Sequence, residues 1–253
     1  DAASGAVAWT ATALPGACGS GTPAVMRLSN GQQVMDVIIS GTTVLRAEDG
    51  KVLIPALAGN LDTNSPIVDG DRLYLMSERS TAWQLLMLDR DTVGAKLLWI
   101  RPTTQVRFAF PAGVALHRGL LYGLSGPQDC RSIEVYDARD GMPVAPAQPL
   151  AEKVQARPYV PTTGAGDVVF FMGNGIPFSG QQEHAEVLVL RTYPEGTVLA
   201  RNLLEKALVA PPVFVGDRMY VRSDTWLSCI ALTGPEGEAY QRQARQQAEK
   251  SSP

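Results

Sequence analysis

Charge is the first thing this sequence is short of. Asp, Glu, Lys and Arg supply only 19% of its 253 residues, while 45% are hydrophobic. That balance excludes a disordered chain and leaves ample apolar surface for a core. The 22 Lys and Arg against 25 Asp and Glu give a net charge of −3, which removes the basic footprint a nucleic-acid binder needs. Histidine occurs twice and cysteine three times. Cys18, Cys130 and Cys229 are far apart with no CxxC spacing, so a zinc site is excluded and at most one disulfide is left open. No run of eighteen apolar residues exists, so the chain has no transmembrane segment of its own. The opening Asp1-Ala2-Ala3-Ser4-Gly5 has neither a basic flank nor an apolar stretch, as expected once any signal peptide has been removed.

Glycine (24) and proline (18) are plentiful, which favours many short strands over long helices. Their placement is periodic. Ile67-Val68-Asp69-Gly70-Asp71-Arg72-Leu73-Tyr74 returns as Ala115-Leu116-His117-Arg118-Gly119-Leu120-Leu121-Tyr122, as Gly166-Asp167-Val168-Val169-Phe170, and as Val213-Phe214-Val215-Gly216-Asp217-Arg218-Met219-Tyr220. The aromatics Tyr74, Tyr122, Phe170 and Tyr220 are spaced by 48, 48 and 50 residues. A diverged copy around Asn30-Gly31 opens the chain, making five.

Each copy has the grammar of a meander. Asn30-Gly31, Gly70-Asp71, Arg118-Gly119, Gly166-Asp167 and Gly216-Asp217 supply the positive-φ residues of a tight hairpin between the first two strands. A third apolar run follows, then a turn through Glu48-Asp49-Gly50, Thr92-Val93-Gly94, Arg139-Asp140-Gly141 or Pro194-Glu195-Gly196 into a fourth. Four strands per 40–50 residues is the arithmetic of a β-propeller blade. The reading is an all-β propeller of about five four-stranded antiparallel blades at 17–58, 59–105, 106–157, 158–208 and 209–235. After Leu232 the last copy runs out of strand pattern, whereas Ala6-Val7-Ala8-Trp9-Thr10-Ala11 reads as a spare fourth strand. Residues 1–12 are therefore expected to pair with the strand near 226–232 and close the last blade. Residues 236–253 are good helix formers with almost no apolar face, a polar helical tail.

The fourth-strand entries resemble the tryptophan-docking motif A-x-D-x-x-T-G-K-x-x-W of quinoprotein-type propellers, the fold of the PQQ-dependent alcohol dehydrogenases and of many non-enzymatic relatives. Asp1 to Trp9 is similar to its second part, and Leu88-Asp89 through Gly94-Ala95-Lys96-Leu97-Leu98-Trp99 matches with an insertion. Tyr136-Asp137-Ala138-Arg139-Asp140-Gly141 and Arg46-Ala47-Glu48-Asp49-Gly50 keep the turn and lack the tryptophan. The resemblance implies that Trp9 and Trp99 pack between neighbouring blades. The family's enzymes are longer, carry adjacent cysteines, and hold quinone and calcium with a Glu/Asn/Asp set that has no counterpart here. It therefore implies no cofactor, no metal and no catalytic residue, and it points to a cofactor-free relative of the scaffold or outer-membrane-assembly type.

Residue by residue, the chemistry is thin. Cys130, His117 and His184 form a nucleophile-and-base set only on paper, because His117 sits at a hairpin and His184 in the polar insertion 174–183. Asp89-Arg90-Asp91-Thr92-Val93-Gly94 starts like a calcium loop, but Val93 and Ile100 stand where oxygen ligands are required. Gly164-Ala165-Gly166-Asp167 lacks the third glycine and the helix of a dinucleotide site. The interaction-surface candidates are Trp83 and Trp226 at the starts of third strands, Tyr240 in the tail and His184 in the insertion. The expected function is a non-enzymatic, exported scaffold, periplasmic or extracellular, serving as an accessory subunit that binds other proteins of a larger, membrane-associated assembly. The alternatives are a fragment of a PQQ-dependent dehydrogenase or sensor, and a carbohydrate- or cell-wall-binding propeller.

Overall fold

A computed structural model describes residues 3–11, 22–29, 34–40, 42–57, 65–77, 82–89, 94–102, 114–125, 132–146, 148–149, 162–173, 185–204, 210–222, 226–231 and 242. Among them every regular element is a β-strand, and the strands form antiparallel meanders in chain order. The first sheet is β1 (Ala24–Ser29), β2 (Val34–Ser40), β3 (Thr43–Arg46) and β4 (Val52–Ile54), and the second is β5 (Ile67–Asp69), β6 (Arg72–Ser77), β7 (Ala82–Asp89) and β8 (Gly94–Pro102). The third is β9 (Ala115–His117), β10 (Leu120–Ser125), β11 (Ser132–Asp137) and β12 (Gln148–Pro149). The fourth is β13 (Thr163–Ala165), β14 (Val168–Gly173), β15 (Ala185–Arg191) and β16 (Val198–Leu204). The fifth is β17 (Val213–Val215), β18 (Arg218–Arg222) and β19 (Leu227–Ala231). This succession of four-stranded meanders is the blade architecture of a β-propeller.

The local reasons are those of the sequence. Val37 and Ile39 of β2 and Met26 and Leu28 of β1 fall on one side of their sheet by period-2 alternation, and all four are buried. Gly70, Gly119, Gly166 and Gly216 turn each first strand into its second with φ near +60° to +74°. Arg118 joins Gly119 at positive φ, the two-residue requirement of a type I′ hairpin.

The chain divides into two compact units, Asp1–Pro111 with Tyr136–Val144, and Ala112–Val135 with Ala145–Pro253. In the first unit Met26, Leu28, Val37, Ile39 and Val44 pack against Leu57, Leu73 and Leu75. This joins the inward side of the first sheet to the second. In the second unit Met172, Val187 and Val221 form a cluster with Phe170, Val189 and Met219 around it, joining the fourth sheet to the fifth. Phe170 and Phe214 add a tilted ring pair at 5.0 Å.

Among the described residues the fifth sheet has three strands, and residues 5–11 lie outside any regular strand. The expected pairing of residues 1–12 with 226–232 would join segments of the two separate units. The helical tail expected at 236–253 lies, apart from Arg242, outside the described residues.

Candidate functional site

The most specific local structure is the turn between third and fourth strands, built alike at Gly50 and Gly141 and one residue longer at Gly196. Arg46 N–H donates to Lys51 O and Gly50 N–H to Arg46 O, at 2.8 and 2.9 Å. Asp137 N–H donates to Met142 O and Gly141 N–H to Asp137 O, both at 2.8 Å, and Arg191 N–H donates to Thr197 O at 2.9 Å. Gly50 and Gly141 hold φ of +72° and +69°. A tryptophan sits on each of these two glycines. Trp9 Nε1 donates to Ala47 O at 2.9 Å and Trp99 Nε1 to Ala138 O at 3.3 Å. A Cβ added to Gly50 would stand 2.5 Å from the Trp9 ring, and one on Gly141 2.9 Å from the Trp99 ring. The turn glycine is therefore required twice over, for its backbone angle and for the ring lying on it. This is the packing role expected of Trp9 and Trp99.

Ion pairs tie the same turns. The Arg46 guanidinium grips both oxygens of Asp49, with Nε at 2.8 Å from Oδ1, and holds its carboxyl down at a pKa of about 2. Arg139 does the same for Asp137, whose pKa is lowered through that hydrogen bond. Arg101 Nη2 reaches Asp140 O at 2.8 Å. In the second unit the Tyr122 hydroxyl accepts from Tyr193 N–H at 3.1 Å, and burial pushes its pKa up. Glu186, 2% exposed, is met by Arg201 Nη1 at 2.9 Å.

Of the sequence candidates, Trp226 is on the surface, 71% exposed, immediately before β19. Trp83 lies in β7 opposite Arg101. Tyr240, His184, Cys130 and the insertion 174–183 lie outside the described residues. His117, which the sequence puts at a hairpin, has a partner in another sheet. It ends strand β9, half-buried, with Nε2 3.0 Å from Gly166 O and its ring where a Gly164 Cβ would be. Cys229 is exposed and free. Among the described residues no three His, Cys, Asp or Glu side chains gather as a metal site, and no helix is long and apolar enough to cross a membrane.

Sequence reading missed the apolar outer edges. β8, the last strand of the second sheet, exposes Leu97, Leu98 and Ile100, and β16, the last of the fourth, exposes Val198, Leu199 and Leu203. The signal was there as consecutive rather than alternating apolar residues at Leu97-Leu98 and Val198-Leu199.

No protein-family model matches the chain, and no curated protein sequence matches it. Among solved structures it is similar to BamB from Moraxella catarrhalis, at 11% identity over 78% of this chain and 82% of that one, TM-score 0.40. It is similar to the C-terminal WD40 domain of Sif2, at 11% identity over 82% and 54%, TM-score 0.47. A europium-containing methanol dehydrogenase follows at 15% identity over 55% of this chain and 24% of that one, TM-score 0.37. These are β-propeller proteins, and none is alike enough to carry a function across.

Proposed function

We propose that this chain is a non-enzymatic scaffold, a protein-binding accessory subunit of a larger membrane-associated assembly outside the cytoplasm. The observation that carries the reading is the pair of apolar outer edges. A terminal strand offers unsatisfied N–H and C=O groups, and proteins ordinarily guard such an edge with charge, proline or a bulge. β8 and β16 keep part of that guard, in Lys96, Arg101, Pro102 and Arg201 and in a bulge against the preceding strand, yet between them they expose six large apolar side chains, of which Leu203 is 68% exposed. Such rows suit a partner that adds a strand or lays an apolar surface along them. The mechanism is one of shape, with rigid sheets presenting edges and no bond made or broken. The extracytoplasmic placement rests on the resemblance of the Trp9 and Trp99 turns to the docking motif.

The test is recovery of the native assembly with the wild-type chain and with Leu199→Lys/Leu203→Lys and Leu97→Lys/Ile100→Lys. A partner held in fixed stoichiometry by the wild type and lost from either variant, with far-UV circular dichroism unchanged, supports the reading. Quinone absorbance or calcium-dependent dye reduction by the purified chain refutes it.

A further inference from the structure

Three Asp-Gly pairs occur in the chain, Asp49-Gly50, Asp69-Gly70 and Asp140-Gly141, and all three lie in the first compact unit at turns that hold the glycine at positive φ. In such a pair the aspartyl carboxyl carbon can reach the next backbone nitrogen easily, because glycine puts no side chain in the way. The three turns treat that nitrogen differently.

At the two turns between third and fourth strands it is occupied. Gly50 N–H donates to Arg46 O at 2.9 Å and Gly141 N–H to Asp137 O at 2.8 Å. The carboxylates are held as well, Asp49 by the Arg46 guanidinium and by Lys51 N–H at 3.0 Å, and Asp140 by Met142 N–H at 2.8 Å. The rings of Trp9 and Trp99 cover the two glycines. Asp69-Gly70 is the tip of the β5–β6 hairpin, where the ladder ends at the Asp69–Arg72 pair and Gly70 and Asp71 form the loop. Gly70 N–H therefore has no place in the ladder. Among the described residues neither Gly70 N–H nor the Asp69 carboxylate makes a hydrogen bond. Both residues are exposed, and no heavy atom lies within 4 Å of a Cβ placed on Gly70.

We propose that Asp69 is a site of spontaneous isoaspartate formation, with water as the only co-reactant, and that Asp49 and Asp140 are spared. Gly70 N bonds to Cγ of the protonated Asp69 carboxyl, the amide proton and the carboxyl hydroxyl leave as water, and a five-membered succinimide closes. Water then adds to the main-chain carbonyl carbon of the ring, and the bond from that carbon to Gly70 N breaks. The chain now runs through Cγ, and the former main-chain carbonyl is a free carboxylate. The product carries one extra main-chain atom at the head of the hairpin, next to the Val68–Leu73 pair that leads into the core of the unit. Each hydrogen bond that must open first lowers the reactive population about two- to tenfold. Asp49-Gly50 and Asp140-Gly141 each have at least two to open, so Asp69 should react on the order of tenfold faster than either, or more.

After prolonged incubation of the folded chain at neutral pH, electron-transfer mass spectrometry of the tryptic peptides 47–51, 52–72 and 140–153 should place the isoaspartate at residue 69, and Asp69→Glu should abolish it. Products from Asn30-Gly31 and Asn174-Gly175 change mass on deamidation and are told apart in the same map. In urea, where the protecting hydrogen bonds are gone, the three Asp-Gly pairs should react at like rates. Isomerisation at Asp49 or Asp140 that matches Asp69 in the folded chain, or a folded chain inert at Asp69 while the urea-unfolded chain reacts there, overturns the proposal.

Discussion

Gly141→Ala is the sharpest probe of the joint that Trp99 makes. Two costs arise at this position and can be separated. The first is backbone strain, since a side chain at φ +69° costs about 1–2 kcal/mol. The second is overlap, because the new Cβ would lie 2.9 Å from Cε3 and Cζ3 of Trp99 and from Cγ of Arg101. The ring is 9% exposed and tethered through Nε1 to Ala138 O, so it has little room to retreat. Overpacking of that kind costs about 1–3 kcal/mol. The sum is about 2–5 kcal/mol, a fall in Tm of roughly 5–15 °C at this chain length. Gly119→Ala is the control, with φ +74° and nothing within 4 Å of the added Cβ, so it should show the strain alone. Urea denaturation followed by far-UV circular dichroism measures both, and the cycle with Trp99→Leu isolates the contact. In that background Gly141→Ala should fall to the cost of the control, a coupling of about 1–3 kcal/mol. Equal costs for Gly141→Ala and Gly119→Ala, or a Gly141→Ala cost unchanged by Trp99→Leu, would refute the packing account.

Arg201→Ala should destabilise by about 3 kcal/mol or more because it deprives the buried Glu186 carboxylate of this cation, and Arg201→Ala/Glu186→Leu should recover most of the loss in the same denaturation assay. Stability should fall as pH drops from about 4 to about 2: Asp49 is held at a pKa of about 2 by Arg46, below the usual ~3.9, so its contribution is complete above the unfolded value and is lost through the folded one. Asp49→Asn should flatten that limb of the profile, and added salt should shrink the difference, because the pair is exposed. Tyr122→Phe should cost about 1 kcal/mol by removing the acceptor of Tyr193 N–H, read as a shift of the urea midpoint without change of slope.

Strands, hairpins and the tryptophan docks were legible because each is written within a few residues. Val37 and Ile39 announce their face by alternation, Arg118-Gly119 announces its turn, and Trp9 and Trp99 stand four and five residues after Gly5 and Gly94. Contacts between distant segments were not legible. His117 looks like a turn residue because Arg118-Gly119 follows it, yet its partner is the Gly166 carbonyl 49 residues on, and the space for its ring comes from the missing side chain of Gly164. Glu186 reads as a surface charge inside a strand until Arg201 of the neighbouring strand meets it. Among the described residues the fourth strand of the third sheet is Gln148–Pro149, and Pro143, Pro146 and Pro149 take three N–H donors out of the run after Gly141. The outer edges were overlooked for a different reason, since burial pattern says which residues are apolar and not whether a partner strand covers them.

The joints between successive sheets draw on different side chains. Trp99 reaches Gly141 from β8, a nine-residue strand, whereas Trp9 reaches Gly50 from a segment outside the described strands. What the two docks share is an indole N–H on a turn carbonyl and a glycine beneath the ring. In the third sheet the following turn is held from the second strand, where the Tyr122 hydroxyl takes the N–H of Tyr193. In the fourth sheet the second-strand aromatic is Phe170, which has no hydroxyl to offer and packs on Phe214 of the next sheet instead. A bare glycine under the ring, and not the length of the strand that carries the indole, is therefore the requirement common to both docks.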